Sequence, residues 1–167
     1  MTPTGALGIQ PAEPLLHGPL SAVLRLSHEA TGGLFSIVEQ SLAPRALGAP
    51  VHTHRNEDEY SVILEGTIGL ELGGEAVEAT AGDVVAKPRG VPHAVWNPTD
   101  EPARFLEVIV PGGFESYFAE LGEIMGQPGP PDLQALATLA DRYEIAMEIE
   151  SIPRLAATRG LDLGRRP

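Results

Sequence analysis

His52-Thr53-His54-Arg55-Asn56-Glu57-Asp58-Glu59 is followed, after one further stretch of chain, by Gly82-Asp83-Val84-Val85-Ala86-Lys87-Pro88-Arg89-Gly90-Val91-Pro92-His93-Ala94-Val95-Trp96-Asn97. On an extended backbone, residues i and i+2 face the same side, so His52 and His54 bring two imidazoles to one point. Glu59 stands five residues after His54 at the start of an apolar run. His93 opens another run, directly after the turn formed by residues 88–92. Three imidazoles and one carboxylate make a transition-metal ligand set. Nitrogen and oxygen donors without sulfur suit a divalent Mn, Fe, Co, Ni, Cu or Zn ion. His17 and His28 lack such companions and read as surface residues. Glu57, Asp58 and Glu59 taken alone would read as a solvated charged turn.

The segments around these residues predict an all-β body. Short runs rich in Val, Ile and Leu occur at 20–27, 34–42, 60–64, 67–72, 75–79, 83–87, 93–97 and 103–110. Gly73-Gly74 between two of them is a two-residue hairpin signal, and Gly66 and Gly82 mark two further turns. Glycine (19) and proline (16) make up about a fifth of the chain and punctuate these runs, against an average near 12%. Eight short strands with regular turns indicate a sandwich or barrel. After Pro111 the period changes. Phe114, Tyr117, Phe118, Leu121, Ile124 and Met125 recur at helical spacing. A second helical stretch runs through Leu133, Leu136, Leu139 and Tyr143, with Asp132 as its N-cap. Residues 127–131 are a Pro/Gly linker between the two. Beyond Ser151 the pattern is weak, and 165–167 reads as a frayed end. The organisation expected is an arm (1–19), a barrel (20–110) and a helical extension (111–167).

Composition narrows the partners. The chain has 167 residues, 43% of them apolar, which suffices for one domain with a core of its own. Its net charge of −12 opposes nucleic acid and anionic membranes. The absence of cysteine removes disulfides, thiolate metal sites and cysteine nucleophiles. Residues 1–10 lack a basic and apolar leader, and no run approaches the roughly 20 residues of a membrane span, so a cytoplasmic location is expected.

His52, His54, Glu59 and Gly66 stand at the spacing of the first motif of the cupin superfamily. Gly82, Pro88, Gly90, His93 and Asn97 stand at the spacing of the second. The chain thus resembles a single-domain cupin (a monocupin of the cupin_2 type). It departs from the pattern in one turn glycine, which the family carries further upstream of the first histidine than Gly48. Fifteen residues separate Gly66 from Gly82, the compact spacing of microbial single-barrel cupins. The resemblance implies a small jelly-roll β-barrel with one or two C-terminal α-helices. It also implies one metal ion on His52, His54, Glu59 and His93, with one or two positions left open and Asn97 bracing its strand. A single motif pair does not fit two-barrel cupins. No DNA-binding helix pair precedes the barrel, and no cysteine is present for a cysteine–tyrosine crosslink.

The segment 110–122 resembles the part that follows the barrel in quercetinase-like cupins, where an aromatic-rich helix closes over the mouth. That likeness implies a metal-dependent dioxygenase acting on an enolic or phenolic small molecule, with Glu59 accepting a proton as its catalytic base. Ser61, Ile63, Val95, Phe114 and Phe118 would line the substrate pocket, or Phe114 and Phe118 would simply cover the apolar rim. A non-catalytic metal- and small-molecule-binding cupin and a metal-assisted isomerase or cyclase are the alternatives. Strand parity puts Glu59, Ser61 and Ile63 inside, and His93, Val95 and Asn97 on one face. Tyr60, Val62, Leu64 and Trp96 then point outward. Such large apolar side chains need cover from the tails or from a second copy, and a homodimer through an outer sheet face is expected.

Overall fold

The computed structural model describes residues 10–163. The expected fraying at 165–167 and all but the last residue of the stretch 1–10, read as lacking a leader, lie outside the described residues. Two antiparallel sheets close on each other as a jelly-roll. The larger is ordered β1 (Glu13–Leu16), β2 (Leu20–Leu26), β3 (Ser36–Leu42), β10 (Ala103–Val110), β5 (Asp58–Glu65) and β8 (Val84–Lys87). The smaller is ordered β11 (Ile145–Glu148), β4 (Leu47–His54), β9 (His93–Trp96), β6 (Thr67–Leu72) and β7 (Glu75–Thr80). Three helices follow the barrel: α1 (Glu115–Met125), α2 (Leu133–Arg142) and α3 (Ser151–Arg159). No helix among the described residues is long and apolar enough to cross a membrane.

Alternation places the strands. β3 and β10 each alternate between buried and partly buried residues along their whole length, and β5 buries Glu59, Ser61 and Ile63 while Tyr60 is exposed. At the Gly73-Gly74 hairpin both residues take positive φ, 56° and 90°, which side chains other than glycine adopt at a cost. Asp132 caps α2, its side chain accepting from the Gln134 and Ala135 N–H groups.

Four segments differ from the sequence expectation: β11, a strand within the stretch expected to be helical, pairs with β4, and β1, β4 and α3 differ as follows. β1 forms within the stretch read as an irregular arm and pairs with β2. β4 contains Gly48 and Pro50, which mask it as a strand. α3 forms where the pattern is weak because it docks largely by polar contacts. The Ser151 hydroxyl accepts from the Val51 N–H at 2.9 Å, and Arg154 makes two bonds to Glu71, at 2.7 and 2.9 Å. Its one fully buried apolar side chain, Leu155, joins Val51, Ala94 and Trp96, and Arg159 lies 5.0 Å over the Trp96 ring. Trp96 therefore finds its cover in the chain's own C-terminal helix rather than in a second copy.

The barrel interior is layered. Cross-strand registers set rows of inward residues on the larger sheet: Ser36, Ile109, Glu59 and Lys87, then Val38, Glu107, Ser61 and Val85, then Gln40, Phe105 and Ile63. At one end Ile63, Phe105, Leu42, Ile68, Leu70 and Val95 form an apolar floor. At the other, Val38, Ile109 and Ala22 pack against Phe114, Tyr117, Phe118, Leu139 and Ile145 from the C-terminal segment. A polar layer lies between them.

Leu155→Ala should lower the stability of the protein by about 2–5 kcal/mol, the usual cost of emptying a fully buried leucine site. Urea unfolding measures it, and a loss below about 1 kcal/mol would show that α3 does not seal the Trp96 face.

Candidate metal centre

The polar layer is built from both sheets. β4 contributes His52 and His54, and β9 opens with His93, which pairs directly with His52. Glu59 reaches the same point from β5, and all four side chains are buried. Ring centroids of His52 and His93 lie 4.3 Å apart, those of His52 and His54 5.1 Å, and those of His54 and His93 5.5 Å. One nitrogen of each histidine and one oxygen of Glu59 all fall within 4.8 Å of one another.

Each imidazole is fixed from behind. His52 Nδ1 meets the Pro50 carbonyl at 2.8 Å, and His93 Nδ1 meets the Val91 carbonyl at 3.0 Å. A carbonyl only accepts, so both nitrogens carry the proton and both Nε2 atoms present a lone pair to the centre. His54 Nδ1 faces Glu57 Oε2 at 3.3 Å in the same manner. Oxygen acceptors behind metal-ligating histidines set ring orientation and tautomer in this way. The β4 register slips between Ala49 and His52; Pro50 has no N–H to lose there, so a bulge is tolerated beside the ligands.

His93 Nε2 is buried and has no hydrogen-bond partner. It lies 3.3 Å from the Glu59 carboxylate, whose other oxygen lies 3.6 Å from His54 Nε2, so lone pairs face an anion, an arrangement that a cation at the centre would stabilise. The donor set fits a divalent transition metal ion on His52, His54, Glu59 and His93. Burial, with the neighbouring His93 and His54, pushes the His52 pKa down to about 3, which keeps the ring neutral and able to ligate. For Glu59, burial alone would favour the proton. The Lys87 ammonium outweighs it and holds the carboxyl well below its ordinary range.

Lys87 and Glu107 extend the layer inward. Lys87 Nζ lies 2.9 Å from Glu59 Oε2 and 2.7 Å from Glu107 Oε2, and the Ser61 hydroxyl donates to Glu107. Burial raises the Glu107 pKa to about 7 in spite of Lys87. Phe114 presents its ring to His54 at 4.7 Å and is flanked by Tyr117, Phe118 and Tyr143 at 4.9–5.8 Å.

The residues read as a substrate pocket therefore divide. Phe114 and Phe118 sit at the mouth beside the ligands. Ser61 is engaged with Glu107, and Ile63 and Val95 belong to the apolar floor. Asn97 braces the strand end, bonding the Leu42 and Glu101 carbonyls. Sequence reasoning missed Glu57, Lys87 and Glu107, although alternation along β8, with Val84 exposed, points Lys87 inward. His28 is not a lone surface residue: its Nδ1 and N–H both meet Glu115 Oε1 at 2.7 Å, which ties the 28–35 loop to the start of α1.

Two outcomes follow from this geometry. His93→Ala should abolish most metal uptake by the purified protein, as elemental analysis would show; unchanged content removes His93 from the ligand set. Burial pushes the folded Glu107 carboxyl up from its ordinary 4.5 to about 7, so the folded state binds the extra proton. Its contribution to stability is present below pH 4.5 and is lost as pH rises towards 7. Metal-free Glu107→Gln should therefore gain stability relative to the native chain over that window in paired urea titrations. A constant difference would contradict the shifted pKa.

Comparison with known proteins agrees with the architecture. The cupin-domain family model matches residues 38–109. Quercetin 2,3-dioxygenase of Bacillus subtilis is 24% identical over 140 residues, an alignment spanning 84% of this chain and 41% of that protein. The chain thus spans about two fifths of that relative. A predicted oxalate decarboxylase from Thermotoga maritima superposes with a TM-score of 0.55 at 24% identity, over 62% of this chain and 98% of that one. KdgF from Halomonas sp. superposes with a TM-score of 0.54 at 18% identity, over 64% and 91%. Both share the fold. His52, His54, Glu59 and His93 thus stand, at their motif spacing, on a barrel whose residues 38–109 match the cupin-domain family model and whose fold the two solved structures share.

Proposed function

We propose that this chain is a metal-dependent dioxygenase of the quercetinase-like kind, acting on an enolic or phenolic small molecule. The observation that carries the reading is the meeting of three oriented imidazole lone pairs and one ionised carboxylate beneath the Phe114 ring. The distant likeness to quercetin 2,3-dioxygenase supports it. A divalent transition ion held there supplies Lewis acidity toward a ligand with adjacent oxygens.

The chain's own residues supply the rest. His52, His54 and His93 fix the geometry through their carbonyl and carboxylate partners. Phe114, Phe118 and Tyr117 offer flat apolar walls to an aromatic substrate and keep water from the polar layer. Ser61, Ile63 and Val95 shape the far side of that layer. Glu59 is the base in this reading, its carboxylate taking the substrate hydroxyl proton. The low pKa of Glu59 favours a second reading, in which it is only an anionic ligand and the chain binds its small molecule without turnover.

Oxygen uptake by the metal-reconstituted protein with a panel of flavonols separates these readings. Uptake that disappears in His93→Ala supports the dioxygenase. Exchange of substrate protons with solvent, without uptake, identifies an isomerase or cyclase. Binding with neither identifies a non-catalytic cupin.

We also infer a homodimer through the outer face of the larger sheet. Cross-strand rows there run Val108, Tyr60 and Ala86, and Leu106, Val62 and Val84, and Val84 is 64% exposed. A solvated face would alternate with polar residues instead. Light scattering should give twice the mass of one chain at micromolar concentration, and a monomer there rejects the pairing.

A further inference from the structure

The larger sheet places an ammonium where the barrel has no structural need of one. Lys87 stands directly across from Glu59 and is 3% exposed. Its row and the next also carry Ile109, Val38 and Val85, so apolar side chains at 87 and 107 would continue the surrounding packing. Buried ion pairs are commonly replaced by apolar residues with no loss of stability, and sometimes with a gain. Fold stability therefore gives little reason for the Lys87–Glu107 pair, and its contacts point to the metal centre instead.

Those contacts are specific. Lys87 Nζ holds Glu59 Oε2 at 2.9 Å and leaves Oε1 free of it. Glu107 takes a second Nζ proton at 2.7 Å and is steadied by the Ser61 hydroxyl at 3.1–3.2 Å, so the ammonium cannot follow Glu59 freely if the carboxylate turns. A carboxylate bound through both oxygens must direct both at the ion, which draws Oε2 away from Nζ. We propose that Lys87, braced by Glu107, is a positioning residue that restricts Glu59 to one donor oxygen, Oε1, and so keeps an additional position open at the metal centre. This rests on the metal reading above. Its consequence concerns ligand class. A ligand that chelates through two adjacent oxygens needs two neighbouring open positions, and a two-oxygen Glu59 would occupy one of them.

The test uses Co(II) alone as the probe, on the full chain. Metal-loaded native protein should show Glu59 on the ion through Oε1, with Oε2 still within hydrogen-bond distance of Lys87, in a crystal structure. In Lys87→Met the coordination number read by X-ray absorption should rise by one, and the visible Co(II) absorption should lose intensity. The chain has no cysteine, so Lys87→Cys can be alkylated selectively with 2-bromoethylamine in denaturant and refolded. This rebuilds an ammonium at that position and should restore the native spectrum. Should Lys87→Met not fold, Lys87→Met/Glu107→Leu removes the pair together and should show the same rise. A native structure with both Glu59 oxygens on the ion overturns the proposal. So does a folded variant with full Co(II) uptake and an unchanged spectrum. Native protein that takes up no Co(II) overturns the metal reading itself, and the proposal with it.

Discussion

An ion taken from water into a protein interior loses several kcal/mol of solvation, and only close partners restore it. The barrel holds three imidazoles, two carboxylates and an ammonium in one layer between two apolar clusters. That layer governs the architecture. Its positive and negative groups alternate from Glu59 to Lys87 to Glu107, each within 3 Å of the next. The apolar floor and the aromatic mouth then keep water out, which strengthens the interactions inside. His93 Nε2 is a buried nitrogen without a hydrogen-bond partner, and it faces the point on which His52, His54 and Glu59 converge.

Backbone irregularity supplies what regular strands cannot. A regular ladder uses its carbonyls on neighbouring strands, so few remain to orient a side chain. The carbonyls that hold His52 and His93 belong to Pro50, beside a bulge, and to Val91, in the turn before β9. Proline thus serves twice here. Pro50, with no N–H to pair, suits the register slip that leaves its carbonyl to His52, and Pro88 and Pro92 shape the turn that delivers His93 to its strand.

β6, a short apolar run between turns, and β10, with clean alternation, were legible from the sequence with the bounds the structure shows. Strand geometry put His52 and His54 on one face, and the resemblance to the cupin motifs joined Glu59 and His93 to them. Other parts were not legible. β4 is broken up by glycine and proline in sequence yet extended in space, since its pairing tolerates a slip. α3 hides because Ser151, Arg154 and Arg159 carry much of its docking, and hydrophobic period is blind to such contacts. Glu57 looked like part of a solvated run. Its partner is a ring nitrogen three residues earlier, a relation set by the bend between β4 and β5. Lys87 and Glu107 lie twenty residues apart, and only the register of β8, β5 and β10 brings them together.

The placement of β11 has a consequence for the integrity of the barrel. Ile145 pairs with His54 and Met147 with His52, so the strand bearing two ligands lies inside its sheet, hydrogen-bonded on both sides. Without residues 145–148, β4 would become the sheet's edge. Its open N–H and C=O groups would form a template for joining strands from other chains. The C-terminal segment thus guards against aggregation at the same strand on which the ligands are mounted.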